Sequence, residues 1–436
     1  MRAMRILLTT TVTAAVVLAA APPAAAKWAT TTRVSVSTTG FQSNDRSDDP
    51  AISADGRYVT FDSDASNLVP DDTNGVSDIF VRDRITGTTT RVSVSTTGDQ
   101  ANQFSRASAI SADGRYVTYQ SLATNLVPDD TNDEIDVFVR DRATGTTSRV
   151  SVSTNEYQAN HYSELPAMSA DGRYITYHSL ATNLVPNDTN SAYDVFVRDQ
   201  INGTTRRVSV STAGDQGDGD SFDPAISADG RYVSYTSGAS NLVPDDTNGD
   251  LTDVFVWDRT TGTTRRISVS TTGNQGDNSS FTSVLSADGG YVSYASDASN
   301  LVADDSNDAT DIFVWNRATG TTRRISVSTT GNQGDNVSRS PAISASGRYV
   351  TYQSLATNLV PDDTNGVTDI LVQDRITGTT RRVSVSTSGN QANQHSEFPA
   401  ISADGRYISY QSPATNLVPD DTNGVTDIFV RNRGGF

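Results

Sequence analysis

The chain has 436 residues, no cysteine and a formal net charge of −18 at neutral pH. The absence of cysteine excludes disulfides, thiol catalysis and cysteine-based metal sites. The acidic balance argues against nucleic acid and anionic membrane surfaces as partners and favours basic partners or cations.

The first 26 residues read as a secretory signal peptide. Arg2 and Arg5 precede an apolar stretch at 6–21, and Ala24-Ala25-Ala26 supplies a small-residue cleavage site before Lys27. Cleavage there takes the formal charge from −18 to −20. No later stretch has the length and apolarity of a membrane span. The expectation is a chain without membrane insertion, secreted or periplasmic, whose residues 27–436 form the folded part.

That part is repetitive. The phrase S-A-D-G-R-Y, with minor changes, recurs with its central residue at Asp55, Asp113, Asp171, Asp229, Asp288, Ser346 and Asp404. The step is 58 residues, with one of 59. A fixed period of this size marks an array in which no single repeat buries its apolar face alone. In the second copy, Ala109-Ile110-Ser111 is extended and Asp113-Gly114 is a hairpin turn. Strands are predicted at 115–121 (R-Y-V-T-Y-Q-S), 136–142 (D-V-F-V-R-D-R) and, after Thr144-Gly145, at 149–153 (R-V-S-V-S). Four short strands per copy and no 3.6-residue apolar period predict an all-β, seven-bladed propeller of four-stranded antiparallel blades. The chain opens on an R-V-S-V-S segment at 33–37 and ends on a third strand at 427–433. The N-terminal strand is therefore expected to complete the last blade.

The phrases P-A-I-S-A-D-G-R-Y-V-T-F, D-I-F-V-R-D and T-G-T-T-T-R-V-S-V-S resemble the WD40-like (PD40) repeat of TolB-type propellers, across almost all of the folded part. The resemblance implies a propeller fold. The separate N-terminal domain of TolB has no counterpart in the sequence, and seven blades replace its six. Peptidases with similar propellers carry a hydrolase domain, whereas this chain has neither that domain nor a G-x-S-x-G elbow. The resemblance therefore assigns no chemistry.

Between the second and third strands lies an acidic phrase with a D-x-N-x-x-x-D spine. Its residues are Asp72, Asn74, Asp78; Asp130, Asn132, Asp136; Asp188, Asn190, Asp194; Asp305, Asn307, Asp311; Asp363, Asn365, Asp369; and Asp421, Asn423, Asp427. The fourth copy, Asp246, Asn248, Asp253, has one extra residue. Closely spaced oxygens around a Gly turn suit Ca²⁺. They equally suit turns capped by Asp and Asn side chains. A second phrase, Q-x-[ND]-x-x-S, as at Gln100 and Ser105 or Gln158 and Ser163, is expected to buttress the blades.

The copies differ most at the residue after that Ser: Asp48, Arg106, Glu164, Phe222, Phe281, Arg339 and Glu397. Connectivity places these seven in a ring at the mouth of the central channel. Beside them stand Asp62, Gln120, His178, Thr236, Ala295, Gln353 and Gln411. Variation confined to one ring of a constant scaffold points to a ligand-reading surface. Trp257 and Trp315 replace Arg in the third strand and either form an exposed aromatic platform or pack between blades. The three histidines, His161, His178 and His395, form no H-x-x-x-H pair. The expectation is a non-catalytic binding propeller for a protein, peptide or surface glycan, stiffened by Ca²⁺ if the acidic loops bind it. The alternative is a metal-assisted hydrolase or lyase acting on sugars or lactones at the channel mouth. Oligomeric state is not legible in the sequence.

Overall fold

The computed structural model describes residues 29–249 and 251–434; the signal peptide expected over residues 1–26 lies outside the described residues. Among the described residues every regular element is a strand, and the strands form seven four-stranded antiparallel sheets. Blade 2 shows the plan: Ser105–Ile110 innermost, then Tyr116–Ser121, Asp136–Asp141 and outermost Thr146–Arg149. In the last blade, Thr30–Arg33 pairs antiparallel with Asp427–Asn432, from Thr30 opposite Asn432 to Arg33 opposite Phe429. The N-terminal strand closes the ring.

Alternating apolar residues drive blade-to-blade packing. Ile79, Val81 and Val92 of blade 1 share one buried cluster with Val117, Tyr119, Leu126 and Phe138 of blade 2. Within blade 2, the Tyr119 and Phe138 rings stack 6.0 Å apart. The same arrangement crosses the closure seam, where Ile428 and Val430 pack on Val59, Phe61 and Phe80.

The S-A-D-G-R-Y turn joins the two inner strands. Ser111 Oγ donates to Asp113 Oδ1 at 2.7 Å, and the same carboxylate oxygen accepts the Arg115 amide at 2.9 Å. Gly114 has φ +75°, and a Cβ there would sit 2.1 Å from Tyr58 Cδ2 of the preceding blade. Only glycine tolerates both conditions. Alanine amides of these turns donate to the next blade's alanine carbonyl around the whole ring, from Ala54 to Ala112 (3.1 Å) onward to Ala403 and back to Ala54 (3.0 Å).

The outer strand lies earlier than the sequence predicts. It is Thr146–Arg149, not 149–153, and at the N-terminus Thr30–Arg33, not 33–37. One further main-chain bond follows, from the Val150 amide to Val137 O at 2.7 Å. Then the Ser151 hydroxyl accepts the Val137 amide at 3.1 Å and donates to Asp136 Oδ1 at 2.5 Å. A side chain thus replaces the backbone partner, and the V-S-V-S stretch turns into the crossover, where Val152 bridges Gln158.

Candidate functional site: the channel mouth and its acidic loops

The acidic loops converge as the spacing implies, but around an arginine. In blade 1, Arg91 Nη1 lies 3.0 Å from Asp72 Oδ1 and 3.1 Å from Asp78 Oδ2. Ser93 Oγ donates to Asp78 Oδ1 at 2.5 Å; Asn74 Nδ2 donates to Asp78 Oδ2 at 2.8 Å and to Ala101 O at 3.0 Å. Arg149 serves Asp130 and Asp136, Arg207 serves Asp188 and Asp194, and Arg266 serves Asp246 and Asp253. Arg324 serves Asp305 and Asp311, Arg382 serves Asp363 and Asp369, and Arg33 serves Asp421 and Asp427. The asparagines Asn132, Asn190, Asn307, Asn365 and Asn423 each donate to a carbonyl of the following crossover, and Asn248 donates to Asp253. Burial, opposed by the arginine, pushes Asp136, Asp194 and Asp369 up to about 6.

Sequence reading missed this arginine, although it recurs in all seven copies. Its guanidinium supplies the positive charge that the spine requires. Among the described residues no group of three or more His, Asp or Glu is arranged to hold a metal ion. The Gln phrase buttresses the same loops: Gln158 Nε2 donates to Asp130 Oδ1 at 2.8 Å and to Asp136 Oδ2 at 3.1 Å.

The ring residues pair across the two inner strands. Asp48 lies opposite Asp62, Arg106 opposite Gln120, Glu164 opposite His178 and Phe222 opposite Thr236. Phe281 lies opposite Ala295, Arg339 opposite Gln353 and Glu397 opposite Gln411. Directly after each ring residue the innermost strand bulges, and Asp49, Ala107, Leu165, Asp223, Thr282, Ser340 and Phe398 all have φ between 48° and 52°. This second variable ring was not recognised in the sequence. Left-handed backbone is normally signalled by Gly, Asn or Asp, and of the seven only Asp49 and Asp223 belong to that set.

The mouth has distinct sectors. Asp62 is 4% exposed, and burial pushes its carboxyl well up, with Asp49 and Asp48 adding and Arg106 opposing. Arg46 reaches Asp48 at 3.6 Å and Asp64 at 2.7 Å, while Arg106 lies over the Phe104 ring at 5.3 Å. His178 is buried edge-on to Tyr193, with Nε2 3.9 Å from Glu164 Oε2. Burial lowers the imidazole to about 4 and raises Glu164. Half-buried Phe222 and Phe281 form an apolar sector. Arg339 lines a cavity of about 490 Å³ with Asp277, Asp297 and Asp308, and donates to Thr310 Oγ1 at 3.4 Å.

Three glutamines at the mouth clamp the next blade. Gln120, Gln353 and Gln411 accept the bulge amides of Leu165, Phe398 and Asp49 at 2.8, 3.0 and 2.9 Å. The other histidines are engaged locally: His161 Nδ1 accepts the Tyr162 amide and His395 Nδ1 accepts the Thr368 amide. Trp257 and Trp315 form no exposed platform. Each is 1% exposed, packed between blades under Arg206 and Arg265.

No family model and no curated protein matches the chain. Among solved structures it is similar to an oligogalacturonate lyase in complex with manganese, at 14% identity over 92% of each chain with a TM-score of 0.56. It is also similar to the β-propeller domain of the Trilobed protease from Pyrococcus furiosus, at 11% identity over 93% of this chain and 94% of that one, TM-score 0.54. TolB from Acinetobacter baumannii aligns at 14% identity over 88% of this chain and 82% of that one, with a TM-score of 0.41. The first two show a shared propeller fold.

Proposed function

We propose that the chain is an exported, non-catalytic recognition propeller that binds a protein, peptide or surface glycan at the channel mouth. The bulge ring carries this reading. Seven residues other than Gly hold a left-handed conformation, among them the β-branched Thr282 and the bulky Leu165 and Phe398. Such strain costs on the order of 1 kcal/mol or more per residue, and glycine would remove it. The inner hairpin turns use glycine, as at Gly56 and Gly114, and the turns at Asp71, Asp129 and Asn187 use Asp or Asn, whereas Leu165, Thr282 and Phe398 belong to neither set. Side chains at the mouth are therefore kept for what they present to a ligand. The combination of carboxylates, Arg106, Arg339 and Phe sectors suits a ligand with charges of both signs and an apolar group. The test is an Arg106→Ala, Arg339→Ala double variant, checked for an unchanged melting profile, against a ligand found on glycan and peptide arrays. Full retained affinity overturns the reading.

A second reading, a hydrolase or lyase acting on sugars or lactones, rests on Asp62. Burial pushes the Asp62 carboxyl well up, and Asp48 opposite it is raised less; two carboxyl groups in unequal surroundings are the arrangement that acid and base roles require. Metal assistance has no donor set to support it among the described residues. Turnover on an oligosaccharide or lactone panel that disappears in Asp62→Asn supports this reading; no turnover by the parent protein removes it.

A further inference from the structure

Six blade junctions on the face opposite the channel mouth share one contact. An arginine just after the third strand lies over the tyrosine that begins the second strand of the preceding blade. Arg84, Arg142, Arg259, Arg317, Arg375 and Arg433 do so with guanidinium-to-ring distances of 3.9 to 4.7 Å. Each also donates to the glycine carbonyl of its own blade's turn, as Arg259 Nε does to Gly230 O at 2.7 Å. A planar cation is thus held between a ring face and a carbonyl oxygen.

The junction of blades 2 and 3 departs from this. Gln200 takes the arginine's place with the same main-chain bond: its amide donates to Arg173 O at 2.9 Å, as Arg142 donates to Arg115 O. Its side chain is shorter and carries no charge. Over Tyr116, beside Gly172, lies a cleft of about 450 Å³, bordered also by Asp141, Asp171 and Arg173. Among the described residues Tyr116 keeps only the arginine of its own blade, Arg115, at 4.7 Å. The Gln200 Nε2 atom is buried there without a hydrogen-bond partner.

We propose that this cleft binds a guanidinium group on an alkyl stem, the group that the other six junctions supply from within the chain. Tyr116 provides the ring face and Gly172 the carbonyl acceptor; Asp141 is paired with Arg115 and Arg173 with Asp199, so the negative charge offered to a ligand is that of Asp171, held by hydrogen bonds from Ser169 and the Arg173 amide. The chemistry is that of arginine, free or carried on a partner's chain. Arginine amide is the probe, and its affinity should be on the order of millimolar, as suits one small cation in an open cleft.

Saturation-transfer NMR with arginine amide tests the proposal on the whole protein. The parent should bind saturably, at least about threefold more tightly than lysine amide, whose compact ammonium lacks the planar stacking face. Gln200→Arg places the chain's own guanidinium in the cleft and should abolish binding; six blades already accept arginine at that position. Tyr116→Leu should also abolish it. Tighter binding of an acetyl-Gly-Arg-Gly-amide peptide assigns the cleft to a partner's side chain, and tighter binding of arginine amide assigns it to a small molecule. An absence of saturable binding by the parent overturns the proposal. So does binding that survives either substitution, or equal binding of lysine amide.

Discussion

The amide of Ala403 in the last blade donates to the carbonyl of Ala54 in the first at 3.0 Å, the same contact that joins every other pair of neighbouring blades. The seam is therefore built like any other junction on this face, and its distinguishing part is the outer strand from the N-terminus. Arg33 in that strand serves Asp421 and Asp427, whose side chains are 4% and 0% exposed. Arg33→Ala leaves both carboxylates buried without their cation, at a cost of about 3–5 kcal/mol. Arg91→Ala in blade 1 should cost a similar amount. Urea denaturation of both variants checks this; a much larger loss for Arg33→Ala would mark the seam as weaker than the junctions.

Calcium should not stabilise the protein. The carboxylate pairs are served within the chain by guanidinia in all seven blades, as with Arg324 at 2.8 Å from Asp305. Thermal melting with added calcium and with a chelator should give the same midpoint. A rise with calcium would mean that the ion displaces the arginines.

Mild acid should stabilise the fold. Asp136, Asp194 and Asp369 stand at about 6, above the 3.8 of an unfolded chain, chiefly through burial. Between those values the folded state holds more protons, so stability falls as pH rises through that window. Asp83 and Asp141, hydrogen-bonded by Arg57 and Arg115, lie below the usual range, and Arg348 brings Asp374 to about 2. Their contribution is complete above the unfolded value and is lost on further acidification. His178, lowered to about 4, opposes the trend between 6.5 and 4 as one group against several. Melting midpoints should be higher near about pH 5 than near about pH 7.5; the reverse order would contradict the burial of these carboxyls.

Gln373 is a weak point of the sixth blade. It is 0% exposed and neither its amide nitrogen nor its oxygen has a partner. At the same place in other blades Arg82, Arg140 and Arg431 donate to the carbonyls of Ser37, Ser95 and Ser386 at 3.0–3.1 Å. Gln373→Arg should raise stability by about 1–2 kcal/mol. Chemical denaturation reads the change, and a loss of stability would show that the site lacks room for the longer side chain.

The period, the blade number and the closing strand were legible because each depends on patterns repeated seven times. The outer strand's position was not. The V-S-V-S alternation of residues 150–153 reads as a strand, yet Ser151 takes over the hydrogen bonds that a strand partner would make. The arginine of each acidic loop was hidden for a different reason. Arg91 and Asp78 meet by cross-strand geometry, with no local motif to announce them. At the mouth, Asp48 through Glu397 were found by their differences, but the bulge residues beside them were not, since Thr282 or Phe398 carries no signal for left-handed backbone.

The bulges have one more consequence. The main chain takes nearly the same φ at Asp49, Leu165, Asp223 and Thr282, whatever side chain it bears. Backbone shape and side-chain identity are thereby uncoupled around the mouth. A change of residue at one slot alters what the surface displays without moving its neighbours, so specificity can be rewritten slot by slot on an unchanged frame.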